Sequence, residues 1–300
     1  MIEEKFIPRD DWMEFVELAS ELRPELHRYC ARLLGSVIDG EDVVQDTLIK
    51  AYMSLRDLNE IPVLRPWLFR IAHNGAIDLL RSRRLRMSEP LEEALDIVDL
   101  NNIDPLEKLM SDESLKLSLS HFIELPIAQR SVVILKDVLG ESLADIAALL
   151  DTSVDSVKSY LARGRVQLRQ NNNFAVLNTK QKFTSPAVAR YVELFNQRNW
   201  DALRALLSAD VKLKQSSHPL RVGAEDVGMF FTIYAKSDSV RLVPAWLDNR
   251  EVIAVFSEKS HTKPSHIMWL EWCDGHISYI HDYRYVDYLL KDAELGIEKN

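Results

Sequence analysis

"SLADIAALLDTSVDSVKSYLARGRVQLRQ", residues 142–170, decides how the first half of the chain is read. Its opening "SLADIAALL" has the apolar spacing of an amphipathic helix, and "DTS" (151–153) supplies turn and N-cap residues. The remainder, laid on a helix at about 100° per residue, gathers Val154, Val157, Leu161, Gly164 and Leu168 on one narrow face. Arg163 and Ser159 fall roughly opposite. Lys158, Arg165 and Arg169 line one flank, and Ser156 and Gln167 the other. Two short helices about a tight turn, the second basic toward solvent, read as a helix-turn-helix. Its apolar face docks on neighbours and leaves donors for phosphates and base edges. The same spacing also fits an ordinary helical hairpin with a solvated basic face.

Charge outside this stretch bears on the choice. The 300 residues carry a net charge of −9, so the mean field repels phosphate. Positive charge is nevertheless concentrated: residues 65–86 hold six arginines against one acid, Asp78. Within "RPWLFRIAHNGAIDLLRSRRLR" (65–86), helical spacing turns Leu68, Ile71, Ala72, Gly75 and Leu79 inward. Arg70, His73, Asn74, Ile77, Arg81 and Arg84 face outward. Trp67 and Phe69 sit near the helix start, where aromatic rings stack on unpaired bases or else join the core. A third helix, "DGEDVVQDTLIKAYMSL" (39–55), has Val44, Leu48, Ala51 and Leu55 inside. Its outer face mixes Asp42, Gln45 and Asp46 with Ile49 and Met53, a pattern suited to docking a protein partner.

Composition places the chain among globular proteins of two or three domains, at 47% hydrophobic and 28% charged residues. The two cysteines, Cys30 and Cys273, offer neither a disulfide framework nor metal-ligand spacing, so no metal or cofactor is expected. The N-terminal "MIEEKFIPRDDW" lacks an apolar signal core, and no run nears the roughly 18 apolar residues of a membrane span. A cytoplasmic setting without membrane contact is the expectation.

Helical patterning over 10–88 gives way to an acidic, proline-containing stretch at 89–112, which reads as a linker, either a solvated tether or a functional one. Helices return over 113–170, and 171–184 is a second, polar linker. Residues 185–290 change character. Ser185 and Pro186 open a helix, "WDALRALLS" and "AEDVGMFFTIYAK" give two more, and four β-rich segments follow. Cys273-Asp274-Gly275 joins the last two as a hairpin, and the whole describes an α+β domain.

"DGEDVVQDTLIKAY", "RPWLFRIAHNGAIDLLRSRR" and "LPIAQRSVVILKDVLGESLADIAALLDTSVDSVKSYLARGRVQLR", in this order, resemble bacterial sigma factors of the extracytoplasmic-function group. The resemblance spans about residues 10 to 170. It implies two all-α sigma domains, the second a helix-turn-helix, in a protein that directs promoter recognition and performs no bond chemistry. The helix bearing Asp42, Gln45, Asp46 and Ile49 would bind the polymerase β′ clamp helices, with the β flap as a further contact. Trp67, Arg70, His73, Asn74, Arg81 and Arg84 would capture the minus-ten promoter element. Lys158, Ser159, Arg163, Arg165 and Arg169 would read the minus-thirty-five element. Gly164 stands where the family commonly has Ala, and glycine costs a helix about 1 kcal/mol there.

"AVARYVELFNQRNWDALRALLSADVKL" and "EWCDGHISYIHDYRYVDYL" resemble the SnoaL-like, nuclear-transport-factor-like superfamily, cone-shaped α+β domains that often take small apolar molecules. That resemblance implies a regulatory extension with a candidate pocket of His218, Trp246, Asp248, Trp269, His281 and Tyr283. Strand alternation puts His281 and Tyr283 on one face and Asp282 on the other, so the adjacent His-Asp pair is not a ready dyad. The alternative reading is a helix-turn-helix regulator with a small-molecule-sensing or enzymatic SnoaL-like domain.

Overall fold

A computed structural model describes residues 9–55, 63–87, 119–171 and 183–297, apart from 216–217, 237–238, 249, 258–262, 292 and 294. The acidic linker at 89–112 lies outside the described residues. The chain divides into two compact units, Met1–Asn178 and Thr179–Asn300, with the division inside the expected polar linker.

Among its described residues the first unit is helical and has no strand: α1 (Arg9–Leu34), α2 (Val37–Leu55), α3 (Leu64–Met87), α4 (Leu119–Ile123), α5 (Ile127–Val133), a π-helical turn (Ile134–Val138), α6 (Leu143–Leu149) and α7 (Val154–Asn171). Gly35, at φ +70°, lets the chain turn out of α1 into α2. Gly40 brings those helices into backbone contact, since a Cβ there would lie 2.7 Å from the Ala31 nitrogen. The two helical stretches expected as separate domains share one apolar core. Leu26, Tyr29, Leu33, Val44, Leu68 and Phe69 belong to the same buried cluster as Phe122, Val133, Leu135, Ile146, Val157 and Leu161.

Gly164 has a packing role. Its missing Cβ would lie 2.7 Å from Val133 Cγ2, so α7 crosses α5 more closely than alanine permits. Val154, expected on the inner face, is 37% exposed because it opens α7 a turn before the first buried position, Val157.

The second unit is α+β, as expected. It contains α8 (Pro186–Asn196), α9 (Trp200–Arg204) and α10 (Ala224–Ala235). Among the described residues it has seven strands, β1 (Leu207–Gln215), β2 (Arg221–Val222), β3 (Arg241–Leu247), β4 (Arg250–Phe256), β5 (His266–Cys273), β6 (His276–Asp282) and β7 (Leu295–Ile297). They form one sheet in the order β2-β1-β6-β5-β4-β3-β7, with only β1 and β6 parallel among the paired strands. The Ser185 hydroxyl accepts from the Val188 N–H and caps α8 ahead of Pro186. Asp274 (φ 49°) and Gly275 (φ 78°) make the tight β5–β6 turn, where two left-handed residues match the twist of the strands. Tyr191, Phe195, Phe230, Phe231 and Tyr234 from the helices pack on Leu242, Ile253, Val255, Met268 and Ile280 of the sheet. The edge strands β2 and β7, two and three residues long, carry too little alternation to be read from the sequence.

Candidate functional site

The helix-turn-helix is set by its caps. Ser142 Oγ accepts from the Asp145 N–H at the start of α6, and Ser153 Oγ from the Ser156 N–H at the start of α7. With Val157, Leu161 and Leu168 buried, Lys158 and Arg169 are exposed, and Ser159 and Arg163 half-buried. Arg163 donates to Ser159 Oγ at 2.9 Å and lies 5.3 Å from the Tyr160 ring centroid, which holds its guanidinium along the helix surface. Arg165 differs from the other basic residues. It grips Asp137 with two hydrogen bonds, Nη2 to Oδ1 at 2.6 Å and Nε to Oδ2 at 3.1 Å, and that carboxylate is 2% exposed. Arg165 thus ties α7 to the π-helical turn, whatever it also offers to DNA.

Along α3 the expected residues also separate. Asn74, Arg81 and Arg84 are exposed, with Arg81 3.8 Å from Asp78. Trp67 is half-buried against the core. His73 Nδ1 is 2.7 Å from the Tyr29 hydroxyl, and burial lowers its pKa to about 4, so the ring is neutral near pH 7 and acts as a packing and hydrogen-bonding group. Arg70 is exposed but donates to the Ala148 carbonyl at 2.8 Å. Arg65, not among the expected contacts, pairs with both Glu25 and Glu141; burial opposes its charge, but these two carboxylates raise its pKa above the ordinary arginine value.

On α2, Asp46 is exposed, Asp42 and Gln45 are half-buried, and Ile49 and Met53 are 50% and 58% exposed. A groove of about 210 Å3 between α2 and α3 is lined by Asp39, Asp42, Asp46, Thr47, Lys50 and Gly75, among others. The first unit therefore presents two basic helix faces and one face that mixes carboxylates with exposed apolar side chains.

Residues 18–86 match the family Sigma-70 region 2, and residues 123–168 match Sigma-70, region 4. The RNA polymerase sigma factor NccH of Alcaligenes xylosoxydans xylosoxydans is 36% identical over 134 residues, covering 43% of this chain and 71% of that one. The chain belongs to the extracytoplasmic-function (ECF) group of sigma-70 factors. The ECF RNA polymerase sigma factor SigG of Mycobacterium tuberculosis is 30% identical over 212 residues, 63% of this chain. That match spans 57% of SigG, just over half its length. The crystal structure of the Mycobacterium tuberculosis extracytoplasmic function sigma factor SigJ aligns with 91% of this chain and 97% of its own, at 20% identity and a TM-score of 0.35.

In the second unit of this sigma factor, three of the candidate pocket residues, Trp269, His281 and Tyr283, meet in one ladder of rings. His218 is exposed and stacks on Tyr285 at 4.7 Å, and Asp248 sits at φ 49° in the turn after β3. Trp269, Tyr279, His281 and Tyr283 form a ladder of ring contacts, the tightest being His281 on Tyr283 at 3.9 Å. Trp246, on β3, is half-buried. Burial, aided by Lys214, lowers the His281 pKa to about 3.

Chemistry-bearing groups do meet elsewhere in this unit, at Asp282. Its Oδ2 accepts from Gln215 Nε2 at 2.8 Å, and its Oδ1 lies 3.2 Å from His266 Nε2. The Tyr234 hydroxyl is 3.4 Å from the same nitrogen, and its pKa is raised by burial and by Asp282. Sequence reading did not single out Gln215, His266 or Tyr234. The faint signal was an acid ending the apolar face of β6; its partners follow from a parallel register that sets Gln215 opposite Asp282 across a bulge. Among the described residues no group of His, Cys, Asp and Glu is placed to hold a metal, and no helix is long and apolar enough to cross a membrane.

Proposed function

We propose that this chain is a promoter-specificity subunit of bacterial RNA polymerase, working in the cytoplasm by position and not by bond chemistry. The α2 face docks on the β′ clamp helices: Asp42, Asp46 and the acidic groove meet basic side chains, and Ile49 and Met53 supply apolar contact. Arg81, Arg84 and Asn74 on α3 hold the minus-ten element, with Trp67 as the adjacent aromatic that receives a base. Lys158, Ser159, Arg163 and Arg169 on α7 read the minus-thirty-five duplex, with Arg165 setting the pose of the helix while the helix-turn-helix half meets the β flap. The observation that carries this reading is the division of surface in a chain of net charge −9: basic faces on α3 and α7, a mixed acidic and apolar face on α2. A chain so charged is a weak DNA binder alone and a selective one beside a polymerase.

The second unit modulates this activity. A small molecule acting there would be met by Asp282, Gln215, His266 and Tyr234, a cluster of polar groups inside its core. The test is binding to purified core polymerase in competition with a known sigma factor, comparing the full chain with a truncation ending at Asn173. Each unit has its own apolar core, so the shortened chain is a fair comparison. Competition by both supports the docking assignment, and their affinity difference reports what the second unit does. Failure of both, beside a control sigma factor that binds, refutes it.

A further inference from the structure

Arg163 is held at two points on the surface of α7. Nε and Nη2 form one edge of its guanidinium, and both face Ser159: Nη2 donates to the hydroxyl at 2.9 Å, and Nε to the main-chain oxygen at 3.4 Å. The guanidinium carbon then lies over the Tyr160 ring, 5.3 Å from its centroid. Tyr160 is itself half-buried and packs against the apolar core of the first unit, so the ring is anchored and offers a fixed face. With one edge of the fork on Ser159, the other edge, Nη1 with the outer hydrogen of Nη2, is turned away from that residue. An arginine ordered before it binds gives up less conformational freedom when it binds.

Place on the helix decides what such a fork meets. Ser159 and Arg163 fall roughly opposite the buried Val157, Leu161 and Leu168, while Lys158 and Arg169 are exposed on a flank. In a helix lying in the major groove, side chains opposite the docked face reach base edges, and those on the flanks reach phosphates. The base edge that matches a planar two-donor fork is that of guanine, through O6 and N7. Tyr160 carries no charge and adds nothing to phosphate attraction. Its effect must therefore show in selectivity and not in overall affinity.

We propose that Tyr160 is a positioning residue for base reading: its ring, with the Ser159 hydroxyl, fixes the Arg163 guanidinium as a guanine-specific fork, and so shapes promoter choice without touching a base. The DNA-reading step rests on the sigma-factor assignment of α7; the hold of the ring on Arg163 does not.

The full chain, with core polymerase, is bound to a promoter library randomised over the upstream duplex element, and the bound sequences are counted. The unsubstituted chain should show a guanine preference that Arg163→Lys abolishes. Tyr160→Leu, which keeps an apolar body on the core, should cut that preference about two- to fivefold, the factor a partly exposed cation–π contact supports. Tyr160→Phe should retain it. Neither Tyr160 variant should alter the salt dependence, whereas Lys158→Ala should weaken all sequences alike and flatten it. In an Arg163→Lys background, Tyr160→Leu should change base preference no further, because it acts through the arginine. If Tyr160→Leu loses helical circular dichroism, Tyr160→Met carries the same test. Guanine preference left intact without the ring, or an equal loss for every base with a lower melting temperature, overturns the positioning role while the sigma-factor reading stands. Selection that survives Arg163→Lys overturns the fork. A polymerase complex of the unsubstituted chain that selects no base at any position, beside a control sigma factor that does, overturns the sigma-factor reading and the proposal with it.

Discussion

Arg165 and Arg169 lie four residues apart on one flank of α7, and their environments give them different work. Removing Arg165 leaves the Asp137 carboxylate buried without its cation, so Arg165→Ala should cost about 3 kcal/mol or more in urea denaturation. Arg169→Ala, at an exposed position, should change stability by less than about 0.5 kcal/mol. Equal stabilities for the two variants would contradict the role given to Arg165. Gly164 poses a similar opposition. Alanine there gains about 1 kcal/mol of helix propensity but drives a Cβ into the stiff, fully buried Val133, a type of overpacking that costs about 1–3 kcal/mol. Gly164→Ala should therefore be neutral to destabilising; a clear rise in melting temperature would refute the close crossing.

Acid sensitivity also belongs at this scale. His73 has a folded pKa near 4 against an ordinary 6.5, so the unfolded chain takes up its proton first as pH falls. The stability this neutral ring contributes is complete above about pH 6.5 and is lost as pH drops toward 4, by up to about 3 kcal/mol. His73→Gln should flatten that part of the stability–pH curve for the first unit; an unchanged curve would show that His73 is not buried as described.

At the scale of elements, much was legible because local rules suffice there. The caps at Ser153 and Ser185, the spacing of Val157, Leu161 and Leu168, and the Asp274-Gly275 turn each act within a few residues, and each appears where the sequence put it. What was not legible depends on long-range partners. Arg130 meets Leu33 across 97 positions, and Gln215 meets Asp282 across 67 through a bulged register. Nothing near either residue in the chain announces its partner. The outward set on α3 was read from helical phase alone. Phase cannot separate Arg81 and Arg84, at the surface, from His73, which reaches Tyr29. The prediction at this scale is a contrast: Arg81→Ala with Arg84→Ala should impair promoter melting at unchanged thermal stability, and His73→Gln should lower stability first. Melting defects of equal size without any stability loss for His73→Gln would remove that distinction.

For the whole molecule, the two separate cores imply separate unfolding. The full chain should show two calorimetric transitions, one of which survives in a truncation ending at Asn173. Deleting residues 183–300 should also shift promoter output in one clear direction, and equal output from both forms would end the regulatory assignment of the second unit. The central claim is initiation itself, and run-off transcription from purified core polymerase, with permanganate mapping of unpaired thymines, tests it most directly. The account predicts promoter-dependent transcripts and melting near the minus-ten element that require this chain and weaken in the Arg81→Ala/Arg84→Ala variant. Core polymerase that binds the chain yet neither melts nor transcribes any promoter in a genomic library, while a control sigma factor does, would contradict it.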